Sequence, residues 1–96
     1  MKERKFSFVK RTSMGKTLKV ELTVNILEDK ITEIIISGDF FAYPSEALEE
    51  LELKIRGKTV EEALKIVDGY EGRMKLIGAS LQDIKQLIRQ VKSTGT

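Results

Sequence analysis

The sequence predicts an α+β domain: a three-stranded antiparallel meander followed by about three helices packed on one face of the sheet. Two periodicities carry that expectation. From Lys5 to Ser37 apolar residues alternate with polar ones, the period of half-buried strands. From Glu46 to Val91 they recur at helical spacing. The junction is Gly38-Asp39-Phe40-Phe41-Ala42-Tyr43-Pro44-Ser45, which holds three aromatics and the single proline of the chain.

The first strand is expected over Lys5–Lys10, with Phe6 and Phe8 on one face and Lys5 and Ser7 on the other. Thr12-Ser13-Met14-Gly15-Lys16 is the turn, where Gly15 can take positive φ. Leu18, Val20, Leu22, Val24 and Ile26 then alternate with Lys19, Glu21, Thr23 and Asn25 in the clearest strand of the chain. Glu28-Asp29-Lys30 turns the chain into a third strand, Ile31–Ser37. A three-residue loop there pairs Ile26 with Thr32, Val24 with Ile34 and Leu22 with Ile36, keeping apolar residues on one face. In the first hairpin, Phe8 falls opposite Val20 and Phe6 opposite Leu22. Leu27, Ile31 and Ile35 are left on the outer face, as a docking stripe, as ordinary cross-strand packing, or covered by a helix of this same chain.

Beyond the junction, Ser45 is a good N-cap for a helix over Glu46–Ile55, with Ala47, Leu48, Leu51 and Ile55 inward and Gly57 closing it. Thr59 and Glu62 form a capping box for a second helix, Val60–Asp68. Tyr70–Ala79 is a glycine-rich connector with room for a short extended piece at Met74–Ile77. Ser80 and Asp83 cap the last helix, with Leu81, Ile84, Leu87, Ile88 and Val91 on its apolar face. Residues 1–96 thus read as one domain with a core over about 5–92, and residues 93–96 are expected to fray.

Composition removes several chemistries. The chain has no cysteine and no histidine, which excludes disulfides, thiol nucleophiles, imidazole catalysis and the usual zinc ligands. No apolar run approaches the roughly 20 residues of a membrane span. No long apolar segment follows Met1-Lys2-Glu3-Arg4-Lys5, so no secretory signal is expected and the cytoplasm is the expected location. The net charge of +2 is unevenly spread. Residues 1–20 hold seven Lys/Arg against one acid, and residues 28–68 hold eleven acids against five bases. The basic hairpin is either an ordinary solvated surface or a face for a nucleotide, phosphate or acidic partner.

No catalytic constellation emerges. Glu49, Glu50 and Glu52 read as a solvated helix face, and Ser/Thr hydroxyls lack a histidine base. Gly15-Lys16 is no phosphate loop, because the glycine-rich run and the following helix are missing. Asp39 either offers a carboxylate at a strand end or caps the turn, the commoner role. Of Phe40, Phe41 and Tyr43, one or two must fill the core and at least one is expected at a contact surface. They are not interleaved with bases, so nucleic-acid binding is not expected.

The Gly15-Lys16 turn, the long alternating strand, Ile36-Ser37-Gly38-Asp39-Phe40-Phe41 and a Ser/Glu-rich helix closing in Leu53-Lys54-Ile55-Arg56-Gly57 together resemble the C-terminal accessory domain of lipoate–protein ligases. The similarity is greatest to the archaeal arrangement, where that domain is a separate small protein beside a catalytic subunit. It covers roughly residues 5–92, and Met14 stands where a second glycine is common. The resemblance implies a fold similar to the scaffold of sulfur-transfer and iron–sulfur assembly proteins. It implies a non-catalytic subunit needed for ATP-dependent activation of lipoate to lipoyl-adenylate, before transfer to a lysine of a lipoyl acceptor domain. No cofactor or metal is expected on this chain; lipoate, ATP and magnesium are implied on the catalytic partner. Gly15, Lys16, Gly38, Asp39, Phe40, Phe41 and Tyr43 are the candidate interface or nucleotide-proximal residues. The alternative is a free-standing interaction adaptor on the same scaffold, without ligase activity.

Overall fold

The computed structural model describes residues 2–94. Three antiparallel strands, β1 (Glu3–Arg11), β2 (Thr17–Asn25) and β3 (Lys30–Gly38), form a sheet in that order. A short strand β4 (Phe41–Tyr43) leads into helices α1 (Ser45–Ile55) and α2 (Val60–Asp68). Strand β5 (Lys75–Ile77) then pairs antiparallel with β4 as a separate two-stranded sheet, and helix α3 (Leu81–Thr94) ends the described chain. The fold is α+β, as the two periodicities predict.

One face of the main sheet is apolar because the pleat sends Leu18, Val20, Leu22 and Val24 of β2 the same way. Helix α1 lies against β3, α3 crosses β1 and β2, and α2 packs on both helices. Leu51, Ile55, Val67, Ile84, Leu87 and Ile88 complete the core between the layers. The β1–β2 register is the expected one, Phe6 opposite Leu22 and Phe8 opposite Val20.

The β2–β3 register is not. Leu22 faces Ile34 and Val20 faces Ile36, and a bulge shifts the ladder between Thr23 and Val24, so that Val24 faces Ile31. The connection is a four-residue turn, 26–29, with Asp29 at φ 57°. The extra residue in β3 lets Ile31 and Ile34 point inward together although they are three apart; both are buried. Ile31 therefore belongs to the core rather than the outer face. Ile26, expected inside, is exposed in the turn with Leu27. The outer stripe reduces to Ile35 alone on β3.

The caps follow their expected chemistry with one exception. Thr59 and Glu62 close a reciprocal capping box on α2, and the Ser80 and Asp83 side chains and amides do the same on α3. For α1, Ser45 is already helical; Pro44 occupies the N-cap, and its carbonyl accepts the Ala47 N–H at 3.0 Å. Helix α3 continues through Ser93 and Thr94 instead of fraying there, while Gly95 and Thr96 lie outside the described residues. Lys85, buried on α3, reaches the end of α2 with its ammonium 2.6 Å from Asp68.

Glu50 and Glu52 are not merely a solvated helix face. Glu50 accepts the hydroxyl of buried Tyr70 at 2.7 Å, and Glu52 accepts the Ile36 N–H at 2.7 Å. Burial pushes the Glu52 carboxyl above its ordinary value, against the Ile36 N–H that holds it down. The Tyr70 hydroxyl is pushed up to about 12 by burial and by its bond to Glu50. The Arg73 guanidinium lies 5.1 Å and the Lys54 ammonium 5.4 Å from the Tyr70 ring centroid, closing the α1–α2 seam with cationic contacts.

Candidate functional site

Three turns distant in sequence meet at one end of the sheet. The β1–β2 turn is held by Thr12, which is 4% exposed. Its hydroxyl donates to the Gly78 carbonyl at 2.6 Å and accepts from the Met14 and Lys16 amides at 3.3 and 3.2 Å. Gly15 takes φ 78° to close the turn, and one glycine suffices with Met14 beside it.

The β3–β4 corner docks on the same turn. The Asp39 carboxylate accepts the Thr17 N–H at 2.6 Å, and the Asp39 N–H donates to the Thr17 carbonyl at 3.2 Å. Asp39 is thus committed to capping the corner. A Cβ on Gly38, at φ 150°, would lie 2.1 Å from the Thr17 carbonyl oxygen, so only glycine lets the corner close. From the third turn, the Gly78 backbone comes so near the Lys16 stem that a Cβ there would sit 2.8 Å from Lys16 Cγ and 3.5 Å from Phe40 Cβ. The stem of Lys16 is laid against Gly78 while its side chain remains exposed.

Five of the seven sequence-predicted residues, Gly15, Lys16, Gly38, Asp39 and Phe40, therefore sit at this end. Phe40 is half-buried against the core. Phe41 and Tyr43 lead away from it on β4, both pointing outward at 64% and 60% exposed. Phe41 pairs across the ladder with exposed Ile77, and Tyr43 with Lys75. The result is an apolar strip of Phe41, Tyr43 and Ile77, with Lys75 opposite Tyr43 on the ladder. Exposed aromatics at a surface favour docking, because such groups bury much area with little loss of side-chain freedom.

The basic hairpin is less open than its composition implies. Lys10 is drawn to α3, where its ammonium lies 2.8 Å from Asp83 and also contacts the Gln86 side-chain oxygen. Burial raises the Asp83 carboxyl, but Lys10 and the Ser80 hydroxyl and amide together hold it below its ordinary value. A concavity of about 560 Å³ lies beside the apolar strip and is lined by Asp68 and Glu71 as well as Arg73 and Lys75, so its charges offset. Among the described residues no group of three acids is gathered closely enough to hold a metal ion.

Residues 3–88 match the family described as the bacterial lipoate protein ligase C-terminus. The chain belongs to that family. It is 30% identical over 73 residues to Lipoate-protein ligase A subunit 2 of Thermoplasma acidophilum, covering 75% of this chain and 78% of that one. A solved structure from a study of an archaeal bi-partite lipoate protein ligase and its E2 lipoyl domain, also from Thermoplasma acidophilum, superposes with a TM-score of 0.77 at 28% identity. That likeness spans 91% of this chain and 97% of the solved one. A 64-residue stretch is also 36% identical to the ATP-dependent DNA helicase uvsW of phage T4, but it amounts to 12% of that protein and carries none of its activity to this chain.

Thr12, Lys75, Ile77 and Gly78 are the parts of this end that sequence reasoning missed. Thr12 carried a faint signal, a hydroxyl positioned to cap a turn two and four residues ahead. Nothing local marks Gly78, whose partner lies 66 residues away.

Proposed function

We propose that this chain is the small accessory subunit of a two-part lipoate–protein ligase. In this reading the catalytic subunit holds lipoate, ATP and magnesium. This chain docks on it and supports formation of lipoyl-adenylate, before the lipoyl group passes to a lysine of an E2 lipoyl domain. One observation carries the reading: 91% of this chain overlays 97% of a chain solved in the bi-partite system, so the likeness runs end to end on both sides.

The three-turn end is the surface we assign to the partner and its nucleotide. A small domain closing over a phosphate-bearing site excludes water and adds positive field where charge develops. Lys16 suits that role because its stem is fixed against Gly78 while the side chain stays exposed. Phe41, Tyr43 and Ile77 supply the apolar contact beside it. Among the described residues no helix is long and apolar enough to cross a membrane, and a cytoplasmic place beside the ligase fits this role.

Reconstitution tests the reading. The chain is mixed with ATP, lipoate and an acceptor domain, with and without a ligase catalytic subunit that lacks this module. Adenylate formation only in the pair is the expected result. Activity of the chain alone would overturn the accessory role. Absence of both activity and a complex would favour an adaptor.

A further inference from the structure

The two edges of the main sheet are treated differently. At the β3 edge the chain seals itself: the Ile31 N–H donates to the Lys58 carbonyl, the Gly57 N–H donates to the Ile31 carbonyl, and the Glu52 carboxylate takes the Ile36 N–H. At the β1 edge there is no such seal among the described residues. The parity of the ladder shows which groups are left. The pairs flanking β1, Thr12 with Lys16 and Lys2 with Ile26, are both hydrogen-bonded. The even-numbered residues of β1 therefore bond β2, and the backbone groups of Lys5, Ser7 and Val9 point away from the sheet.

This edge is long and regular. Nine residues, with no proline and no bulge against β2, give about 30 Å of straight strand. Its two sides differ in chemistry. Lys5, Val9 and Arg11 stand exposed on the outer side, and the rings of Phe6 and Phe8, stacked at 5.8 Å, lie half-buried on the inner side. Arg4, Lys5 and Arg11 against Glu3, with Lys10 paired to Asp83, make a second copy of this strand a repelled partner, the usual safeguard against self-pairing. The same charges attract an acidic strand.

We propose that the β1 edge binds an extended peptide segment that alternates acidic and aliphatic side chains, adding it as a fourth strand. The acids face Lys5 and Arg11, the aliphatic residues cover Phe6 and Phe8, and backbone bonds to Lys5, Ser7 and Val9 hold the register. The inference rests on this edge alone and not on the ligase reading.

The test uses the full chain and a blocked nine-residue peptide alternating glutamate and valine, with a lysine-for-glutamate peptide as control. Amide exchange is followed by NMR. The expected result is slowing at Lys5, Ser7 and Val9 by at least about tenfold with the glutamate peptide alone, weakened by salt. Ser7→Pro removes an outward N–H and spares the ladder, and it abolishes the slowing. A second variant, Lys5→Glu with Arg11→Glu, reverses the preference between the two peptides. Unchanged exchange, equal slowing by both peptides, or dimerisation of the chain through β1 would overturn the proposal.

Discussion

Replacing Thr12 by valine keeps the shape of a buried side chain and removes the hydroxyl that ties the β1–β2 turn to the turn at Gly78. The Gly78 carbonyl loses its 2.6 Å donor in a site from which water is excluded. An orphaned buried acceptor of this kind costs about 1–3 kcal/mol. The Met14 and Lys16 amides lose longer bonds in an exposed turn, where water substitutes, at about 0.5 kcal/mol each. The sum is about 2–4 kcal/mol. For a domain of this size each kcal/mol lowers the midpoint by roughly 4–8 °C, so Thr12→Val should melt about 8–32 °C below the parent. Thermal unfolding followed by circular dichroism reads this directly. Thr12→Ser, which keeps the hydroxyl, should stay within about 1.5 kcal/mol of the parent. A Thr12→Val midpoint within two or three degrees of the parent, on the order of a surface substitution, would refute the view that this hydroxyl ties the turns together.

Other perturbations separate stability from docking. Tyr70→Phe removes the bond to Glu50 and should cost about 1 kcal/mol near neutral pH. Because the Tyr70 hydroxyl is raised from 10.0 to about 12 in the fold, its contribution is whole below pH 10 and is lost as pH climbs towards 12. Urea unfolding across that range should fall more steeply for the parent than for Tyr70→Phe. The raised Glu52 carboxyl acts in the same direction at lower pH: its contribution is present below 4.5 and is lost as pH rises through the folded value. Glu52→Gln, still able to accept the Ile36 N–H, should flatten that decline in denaturation midpoints. Phe41→Ser should change stability by less than about 0.5 kcal/mol, since the ring is 64% exposed, yet weaken binding to a ligase catalytic subunit by about tenfold or more in calorimetric titration.

The first hairpin was legible in the sequence because Phe6, Phe8, Val20 and Leu22 admit one register that keeps them together. The second was not. Strict alternation puts Ile31 and Ile34 on opposite faces, and only a bulge brings both inside; their three-residue spacing was the sign of it. The β4–β5 pairing was half visible. Three residues on each side give too little pattern to match strands separated by two helices. The caps of α2 and α3 could be read because their bonds span only three residues. Among the junction residues, Asp39 caps a turn, the commoner role of an Asp at a strand end. Gly38 reaches Thr17 through the β2–β3 ladder, but what seats Gly78 against Lys16 and Phe40 is contact across dozens of residues, which no local pattern encodes.

In the proposed role, this chain supports lipoate activation from the end where its three turns meet. The most direct measurement is the rate of lipoyl-adenylate formation by the reconstituted pair, with the parent chain and with Lys16→Ala. On this reading, adding the parent chain to the catalytic subunit should switch activation on, and Lys16→Ala should lower the rate by about tenfold or more while the complex still forms. Activation at the parent rate by Lys16→Ala, in an intact complex, would contradict it.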